Sequence, residues 1–327
     1  MNDTLTAIGS IRVGHAAIPE GLSGCTVILP EGGAVAGVDV RGGAPGTYGT
    51  DTLNPVNLVN RVHGIFFTGG SAFGLSAATG LMKALRERDI GFQTGHGRVP
   101  IVAGATIFDL GFNASGNLPG EALSLEAFER ATFHPVEEGC VGAGLGATVG
   151  KLYGLERAMK SGLGSSCVHG AGGLMVGALM VVNAFGDVVD PLSNEVLAGC
   201  RESSESSRLI RADLEIRKLT RLRGFTPVES TVIGAVATNA RLNKTQLTKV
   251  AQMAHDGLAR TVAPAHTLLD GDAIFALSCG SIEDVDVSIL GALAAQATAE
   301  AVLRAVRKAC SLGGLPAHAD LNNGPPA

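Results

Sequence analysis

The order of the apolar segments constrains the fold of this chain more than any other feature. TVIGAVAT (231–238) is a β-branched run typical of a buried strand, and CTVILPEGGAVAGVDV (25–40) reads as a hairpin around an E-G-G turn. QLTKVAQMAHDGLAR (246–260) and SILGALAAQATAEAVLRAV (288–306) instead carry apolar residues at helical spacing. Because strands and helices do not alternate in a regular βαβα order, the pattern predicts an α+β layered sandwich.

The core of such a sandwich must be built from small side chains. Hydrophobic residues make up 46% of the chain, but aromatic residues only 4%, and Trp is absent. Ala, Val, Leu and Ile must therefore fill the interior, which allows the layers to approach closely. The 46 glycines follow no G-X-Y period and only 13 Pro are present, which excludes collagen and a disordered linker. With 327 residues the chain is long enough for one large domain or two.

Charge and cysteine content exclude several classes of function. A formal charge of −5 provides no basic surface for nucleic acid. The N-terminus MNDTLTAIGSIRVGH has no signal-peptide pattern, and no apolar run is long enough to span a membrane without a polar or Gly break, so we expect a cytoplasmic protein. Six cysteines, at 25, 140, 167, 200, 279 and 310, lack C-x-x-C or metal-ligand spacing and read as small buried hydrophobes in a reducing compartment.

Familiar catalytic motifs fail in this chain. Gly142, Gly144 and Ala147 meet a relaxed G-x-G-x-x-A, but no acidic residue follows at the dinucleotide-binding distance. The hydrolase elbow G-x-S-x-G fails at Ser71, because Phe73 occupies the second glycine position. The eight histidines include no H-E-x-x-H, so no metal or cofactor is expected.

Two adjacent hydroxyl residues, Ser230 and Thr231, lead into the strand TVIGAVAT. Hydroxyls at a strand start often serve only turn geometry. However, a Thr that is the first residue of a chain carries its own general base, since its free α-amine has a pKa of about 7.7–8 and lies beside its hydroxyl. An internal Thr reaches that state only if the peptide bond before it is broken.

VESTVIGAVATNARL (228–242) and AHDGLARTVAPAHTLLDGDAIFALS (254–278) resemble the self-processing family that holds the L-aminopeptidase/D-Ala-esterase-amidase, the β-peptidyl aminopeptidases and the nylon-oligomer hydrolases. The resemblance extends from about residue 5 to 315 through IGSIRVGH, VDVRGGAPGT, FFTGGSAFGL, VPIVAGATIFDL, GAGLGATVGK and VVNAFGDVVD. It implies a four-layer αββα sandwich of the N-terminal-nucleophile type. It also implies one catalytic domain, residues 1–327, that cuts itself into an α chain, 1–230, and a β chain, 231–327.

The same resemblance assigns roles to individual residues. Thr231 is the nucleophile, although Ser230 stands where the family usually has Asn or Gly and remains a second candidate. Asn183 donates to the oxyanion, unless it is a core amide that joins two loops. Lys151 tunes the nucleophile and its amine, unless it is a solvated surface lysine.

Four further positions have implied roles at the edge of the site. Asp270 and Asp272 hold the ammonium and hydroxyl of Thr231 by charge-assisted hydrogen bonds, with simple D-G turn chemistry as the alternative. Their D-G-D form resembles the nylon-oligomer branch. Phe108, and less securely Phe73, match a Tyr that some relatives place near the oxyanion, and core packing would explain either ring equally well.

The segment from 201 to 224 is rich in charged residues and serine, and it reads as a solvated helix or a solvated linker that moves aside after cleavage. The predicted function is a self-processing N-terminal-threonine amidohydrolase or aminopeptidase for small peptides or amide oligomers, aminohexanoate oligomers included. Two alternatives stay open: an uncleaved, non-catalytic binding protein, and an acyltransferase on a similar fold. The expected partners are the substrate, the two chains of the protein itself and further copies in a homo-oligomer.

Overall fold

The computed structural model describes residues 2–113, 116–222 and 230–321. The strands of the described residues are β1 (Ile11–Ile18), β2 (Ser23–Pro30), β3 (Ala34–Val40), β4 (Thr47–Tyr48), β5 (Arg61–Val62), β6 (Gly64–Thr68), β7 (Phe92–Thr94), β8 (Gly97–Val99), β9 (Val102–Thr106), β10 (Thr148–Val149), β11 (Met159–Lys160), β12 (Leu163–His169), β13 (Met175–Asn183), β14 (Asp187–Val189), β15 (Val196–Ala198), β16 (Thr231–Ala240), β17 (Val262–Ala263) and β18 (Ala273–Ile282). The α-helices are α1 (Ala77–Glu87), α2 (Glu121–Glu129), α3 (Ala212–Glu215), α4 (Lys244–Thr261), α5 (Val287–Arg307) and α6 (His318–Leu321).

Two mixed sheets form the centre of the molecule. The first has the strand order β1-β2-β6-β9-β4, and the second has the order β12-β13-β16-β18-β3-β5. Apolar side chains from both sheets interdigitate between them, and the rings of Phe67 and Phe275 lie 6.0 Å apart across this layer. Helices α1 and α2 cover the outer face of the first sheet, while α4 and α5 cover the second. The predicted four-layer αββα sandwich is confirmed.

In the central strand β16, alternate residues pack into the two different layers on either side of the second sheet. Val232, Val236 and Ala240 pack toward the helices, whereas Ile233 and Ala235 pack toward the first sheet. Since side chains of a strand alternate between its two faces, odd-numbered positions of β16 point between the sheets. Thr231 is an odd-numbered position, so its side chain belongs to the layer between the two sheets.

The hairpin predicted for residues 25–40 is wrong. The two strands form as expected, but β2 pairs with β1 and β6 in the first sheet, while β3 pairs with β18 and β5 in the second. The turn therefore crosses between the sheets, with Gly32 and Gly33 in the left-handed region at φ 69° and 75°. All eight residues of β2 are buried between its two neighbours in the first sheet.

Helices α4 and α5 lie where their apolar spacing predicts. Asn243 and Gln246 form a capping box at the start of α4, and the Asp286 carboxylate caps the start of α5. By length and composition α5 is apolar enough to cross a membrane. In the sandwich its apolar side chains instead pack on α4 and on the second sheet, which accounts for its composition.

The segment predicted as a solvated linker has more structure than expected. Between 201 and 222 most side chains are exposed or half-buried, but Arg201 and Ala212 are buried. The buried Asp187 carboxylate accepts hydrogen bonds from the backbone N–H of Cys200 at 2.8 Å and of Ala212 at 2.6 Å. This part of the segment is therefore anchored to the sandwich, and residues 223 and 224 lie outside the described part of the chain.

Gly257 allows α4 and α5 to pack closely, since a Cβ atom there would lie 2.1 Å from the carbonyl oxygen of Ala295. We expect Gly257→Ala to lower the free energy of unfolding by about 1–3 kcal/mol, although Ala favours a helix over Gly. Urea denaturation measures this change. Asp256→Ala, at the exposed neighbouring position of α4, should stay within about 0.5 kcal/mol of the wild type. A Gly257→Ala protein as stable as the wild type would contradict the close approach.

Candidate active site

Strand pairing fixes Thr231 at one end of the second sheet. Thr231 is the first residue of β16 and lies opposite Asn183, the last residue of β13, in the antiparallel register. On its other side, Ser230 forms a parallel bridge with Asp270, just before β18. Thr231 is only 3% exposed, and Ser230, Asn183 and Asp270 are also buried. The D-G-D loop and the end of β13 thus flank the predicted cleavage site.

The Thr231 hydroxyl contacts the peptide group that precedes it. Its Oγ lies 2.5 Å from the carbonyl oxygen of Ser230, to which it donates a hydrogen bond. The backbone N–H of Gly271 donates to the same carbonyl oxygen at 3.0 Å. The Ser230 hydroxyl, in contrast, is buried without a hydrogen-bond partner among the described residues. This geometry favours Thr231 over Ser230 as the nucleophile.

Gly271 leaves room for the Thr231 hydroxyl. A Cβ atom at position 271 would lie 2.8 Å from the Thr231 Oγ and 2.6 Å from the carbonyl oxygen of Ala44. The stretch RGGA (41–44) supports this loop, because Arg41 N–H donates to the Asp272 carbonyl and Ala44 N–H donates to the Asp270 carbonyl, each at 2.9 Å. The D-G-D turn is therefore stabilised by hydrogen bonds from the RGGA stretch as well as by its own sequence.

Lys151 and Asn183 form a buried pair beside Thr231. The Lys151 ammonium donates to the Asn183 side-chain oxygen at 2.7 Å and to its backbone carbonyl at 3.0 Å. Thr148 also donates to that side-chain oxygen, through its N–H at 3.1 Å. Because the amide oxygen faces these donors, the amide nitrogen points the other way and donates to the Phe108 carbonyl at 2.9 Å. Lys151 is 1% exposed, which rules out a solvated surface lysine.

The Asp270 and Asp272 carboxylates accept hydrogen bonds from backbone N–H groups and from neighbouring side chains, but not from the Thr231 hydroxyl. Asp272 accepts from the N–H of Val232 at 2.7 Å and from the ring Nδ1 of His266 at 2.7 Å. Asp270 accepts from the N–H of Phe185 at 3.2 Å and from the Thr267 hydroxyl at 2.6 Å. In the uncut chain the predicted contact with the Thr231 hydroxyl is therefore not made by either carboxylate within the described residues.

Burial raises the pKa of Asp270 to about 6, and the nearby charge of Asp272 adds to the effect. Asp109 is a second buried carboxyl whose pKa is raised by burial, and it accepts from the Ser23 hydroxyl at 2.6 Å and from the Gly70 N–H at 2.7 Å. The Lys151 charge partly offsets that rise, which places Asp109 within electrostatic reach of the site.

Sequence reasoning missed His266. Its ring binds Asp272, and it stacks edge-on against the buried His255 with ring centroids 4.8 Å apart. His255 in turn contacts the Asp39 carbonyl at 3.1 Å, and burial lowers the pKa of His255 to about 4. The signal available in the sequence was the position of His266 six residues before Asp272, inside the resembling stretch PAHTLLDGD.

The two phenylalanines have different positions. Phe108 contributes its carbonyl to Asn183 and, with Lys151, lines a cavity of about 10 Å³, too small to hold more than a water molecule. Phe73 lies in the 3-10 turn Ser71–Ser76 with 65% of its surface exposed, and no described hydrogen bond or ring contact joins it to Thr231. The structure thus brings Thr231 and its predicted partners Asn183, Lys151, Asp270 and Asp272 together in a buried region. A substrate-binding role for Phe73 stays a prediction.

Comparison with known proteins defines the class. The chain is 38% identical over 345 residues to an aminopeptidase of Mycobacterium bovis described as uncharacterized, which covers 98% of each chain. It is 30% identical over 309 residues to a 6-aminohexanoate-oligomer endohydrolase of Kocuria sp., covering 91% of this chain and 84% of the relative.

A solved structure shows the same fold. The L-aminopeptidase D-Ala-esterase/amidase of Ochrobactrum anthropi, described as a variant of the Ntn hydrolase fold, superposes with a TM-score of 0.70 at 19% identity over 94% of this chain and 86% of that one. The chain thus has the N-terminal-nucleophile hydrolase fold, and its family and relatives make it an amide hydrolase. Residues 3–319 match the model of peptidase family S58, and the chain belongs to that family.

The raised pKa of Asp270 has a measurable effect on stability. Between the ordinary pKa of 3.8 and about 6, the folded protein binds more protons at this carboxyl than the unfolded chain does. The stabilisation is therefore fully present below pH 3.8 and is lost as the pH rises through about 6. The quantity to follow is the difference in free energy of unfolding between the wild type and Asp270→Asn. We expect this difference to fall by about 3 kcal/mol as the pH rises from 3.8 to about 6.

Urea denaturation of both proteins at a series of pH values measures the difference. His255 has the opposite sign, since its lowered pKa favours the folded state as the pH rises from about 4 to 6.5. Its contribution is common to both proteins and cancels in the subtraction. A difference that is constant or rises with pH would contradict the assignment.

Proposed function

We propose that the protein cleaves its own Ser230–Thr231 bond and then hydrolyses small peptides or amides with the freed Thr231. The contact between the Thr231 Oγ and the Ser230 carbonyl oxygen, 2.5 Å, is the observation that carries the proposal. Membership in peptidase family S58 supports the amide-hydrolase chemistry.

In the first step the Thr231 Oγ attacks the Ser230 carbonyl carbon. The carbonyl oxygen gains negative charge, and the Gly271 N–H, 3.0 Å away, is placed to stabilise it. The carbon–nitrogen bond then breaks, the nitrogen takes up a proton, and Ser230 is left as an ester on the threonine. Water hydrolyses this ester, which releases the Ser230 carboxylate and leaves Thr231 with a free amine and a free hydroxyl.

In turnover the Thr231 hydroxyl attacks a substrate amide while its own amine accepts the proton. In this scheme Asn183 donates to the oxyanion, and the contacts of Lys151 and Thr148 with its side-chain oxygen support this role because they fix which end of the amide donates. Asp270 and Asp272 face the new amine as acceptors. The amine then protonates the leaving nitrogen, and water releases the acyl group.

The uncut protein is a closed precursor in this scheme. Thr231 is 3% exposed, and the cavity beside Lys151 is about 10 Å³, so no substrate fits. Opening the site requires Ser230 to move away from Thr231 after the cut. The anchored part of the 201–222 segment packs against Leu152 and Phe185 and would remain as a wall of the pocket.

The names of the relatives support the proposed substrate class. The Kocuria relative is named for 6-aminohexanoate oligomers, and the M. bovis relative is named an aminopeptidase. Both names denote enzymes that hydrolyse amide bonds. We therefore assign short peptides and linear amide oligomers to this protein. Assembly into a homo-oligomer stays a prediction.

Thr231→Ala should remain a single chain of 33.1 kDa and have no amide hydrolase activity. The wild type should give bands of about 23 and 10 kDa in denaturing electrophoresis, in proportion to chain length, and the smaller piece should begin with TVIGAV. Thr231→Ser and Ser230→Ala serve as controls and should still be cut. A fully active wild type that stays uncut, or a cut and active Thr231→Ala, would sink the proposal.

His266→Ala should lower kcat by about ten- to hundredfold with little change in KM, since a hydrogen bond to a charged group contributes about 1.5–3 kcal/mol. His266 is a positioning residue, because it acts through Asp272. His266→Asn keeps a donor near the place of Nδ1 and should recover most of the rate. The exposed His169 supplies the control, and His169→Ala should match the wild type. Equal rates for His266→Ala and the wild type would show that Asp272 needs no support from this ring.

A further inference from the structure

Cys140 and Cys310 are 170 positions apart in the chain and in contact in the fold. The Cys140 thiol donates to the Cys310 carbonyl at 3.3 Å, and the Cys310 N–H donates to the Cys140 sulfur at 3.4 Å. Cys310 is exposed and Cys140 is half-buried, so the prediction that all six cysteines are buried hydrophobes is wrong at these positions.

The backbones at this contact are close enough for a covalent bond between the thiols. A Cβ atom on Gly139 would lie 2.2 Å from the Lys308 carbonyl oxygen, which shows direct contact between the two segments. A disulfide needs Cα atoms about 4.4–6.8 Å apart and sulfurs about 2.05 Å apart. Since the Cys140 sulfur already lies against the Cys310 backbone, a rotation of the Cys310 side chain is the main change required.

Lys160 provides a positive charge beside this pair. It is fully buried, and its ammonium donates to the carbonyl oxygens of Ala147 at 2.8 Å and Ser161 at 2.6 Å. Burial lowers the pKa of Lys160 to about 8, and the nearby Cys140 and Cys310 thiols act in the opposite direction, which places both thiols within electrostatic reach of the ammonium. A cation next to a thiol stabilises the thiolate, which is the reactive form.

We propose that Cys140 and Cys310 form a reversible disulfide when the protein meets a peroxide. The Cys140 thiolate attacks one peroxide oxygen, the O–O bond breaks, and the sulfur becomes a sulfenic acid while water leaves after protonation. The Cys310 thiol then attacks this sulfur, the S–S bond forms, and a second water leaves. In sum, two thiols and one hydrogen peroxide give one disulfide and two waters.

The Cys140–Cys310 disulfide would also link the products of self-cleavage, an effect that rests on the proposed function. Cys140 belongs to residues 1–230 and Cys310 to residues 231–327, so the disulfide would join the two mature chains covalently. A thiol reductant would separate them again.

The experiment uses full-length protein, treated with hydrogen peroxide and then with an alkylating agent, beside an untreated sample. In the uncut Thr231→Ala protein we expect the intact mass before alkylation to fall by two hydrogen atoms, two fewer thiols to be alkylated than in the untreated sample, and a digest to yield one linked peptide pair that contains Cys140 and Cys310. In processed wild type we expect one band of full-length size without reductant and two bands with it. The Thr231→Ala sample tests the disulfide even if self-cleavage fails.

Cys140→Ser and Cys310→Ser should each abolish the link while leaving amide hydrolysis unchanged. Cys167→Ser and Cys279→Ser, at the other half-buried thiols, should form it as the wild type does. Lys160→Met should slow the reaction several-fold without changing which peptides are linked. Overoxidised, unlinked thiols, or a link that survives Cys310→Ser, would overturn the proposal.

Discussion

The register between β13, β16 and β18 is the constraint on which the site depends. It sets Thr231 opposite Asn183 on one side and brings Ser230 beside Asp270 on the other. A slip of one residue would turn Val232 into the layer between the sheets and Thr231 toward the helices. The buried apolar faces of β16 prevent such a slip, because every side chain of the strand would then face the wrong layer.

The site concentrates charge in a region that water does not reach. Lys151, Asp270 and Asp272 are each about 1% exposed. An isolated buried charge is costly, but each of these groups has several hydrogen-bond partners from different elements. The partners also fix the orientation of each side chain. Stability and alignment of the reacting groups therefore come from the same contacts.

The sequence predicts the local elements well and their pairing poorly. Strand β16 and helices α4 and α5 follow from β-branched runs and helical spacing, because burial of one face leaves a periodic pattern. The assignment of β2 and β3 to different sheets leaves no such pattern, since pairing partners are distant in the chain.

The residues of the site also divide into those that the sequence predicts and those that it does not. Thr231, Asn183, Lys151, Asp270 and Asp272 could be named from family resemblance, and the structure brings them together. The Gly271 N–H could not be anticipated, because a backbone donor has no signature in the residue type. His266 reaches Asp272 only through the turn between α4 and β18, which the sequence pattern does not determine.

The charges around the proposed cleavage site determine which of the two new chain termini remains in the site. Cleavage turns a neutral peptide group into an ammonium on Thr231 and a carboxylate on Ser230, next to Asp270 and Asp272. Two unit charges 4 Å apart interact by about 4 kcal/mol at an effective dielectric constant of 20. The ammonium is therefore attracted and the Ser230 carboxylate repelled. The Ser230 hydroxyl, which has no hydrogen-bond partner among the described residues, gains hydrogen bonds to water on leaving. In the proposed cleavage Asp270 and Asp272 would thus retain the new Thr231 amine and repel the Ser230 carboxylate.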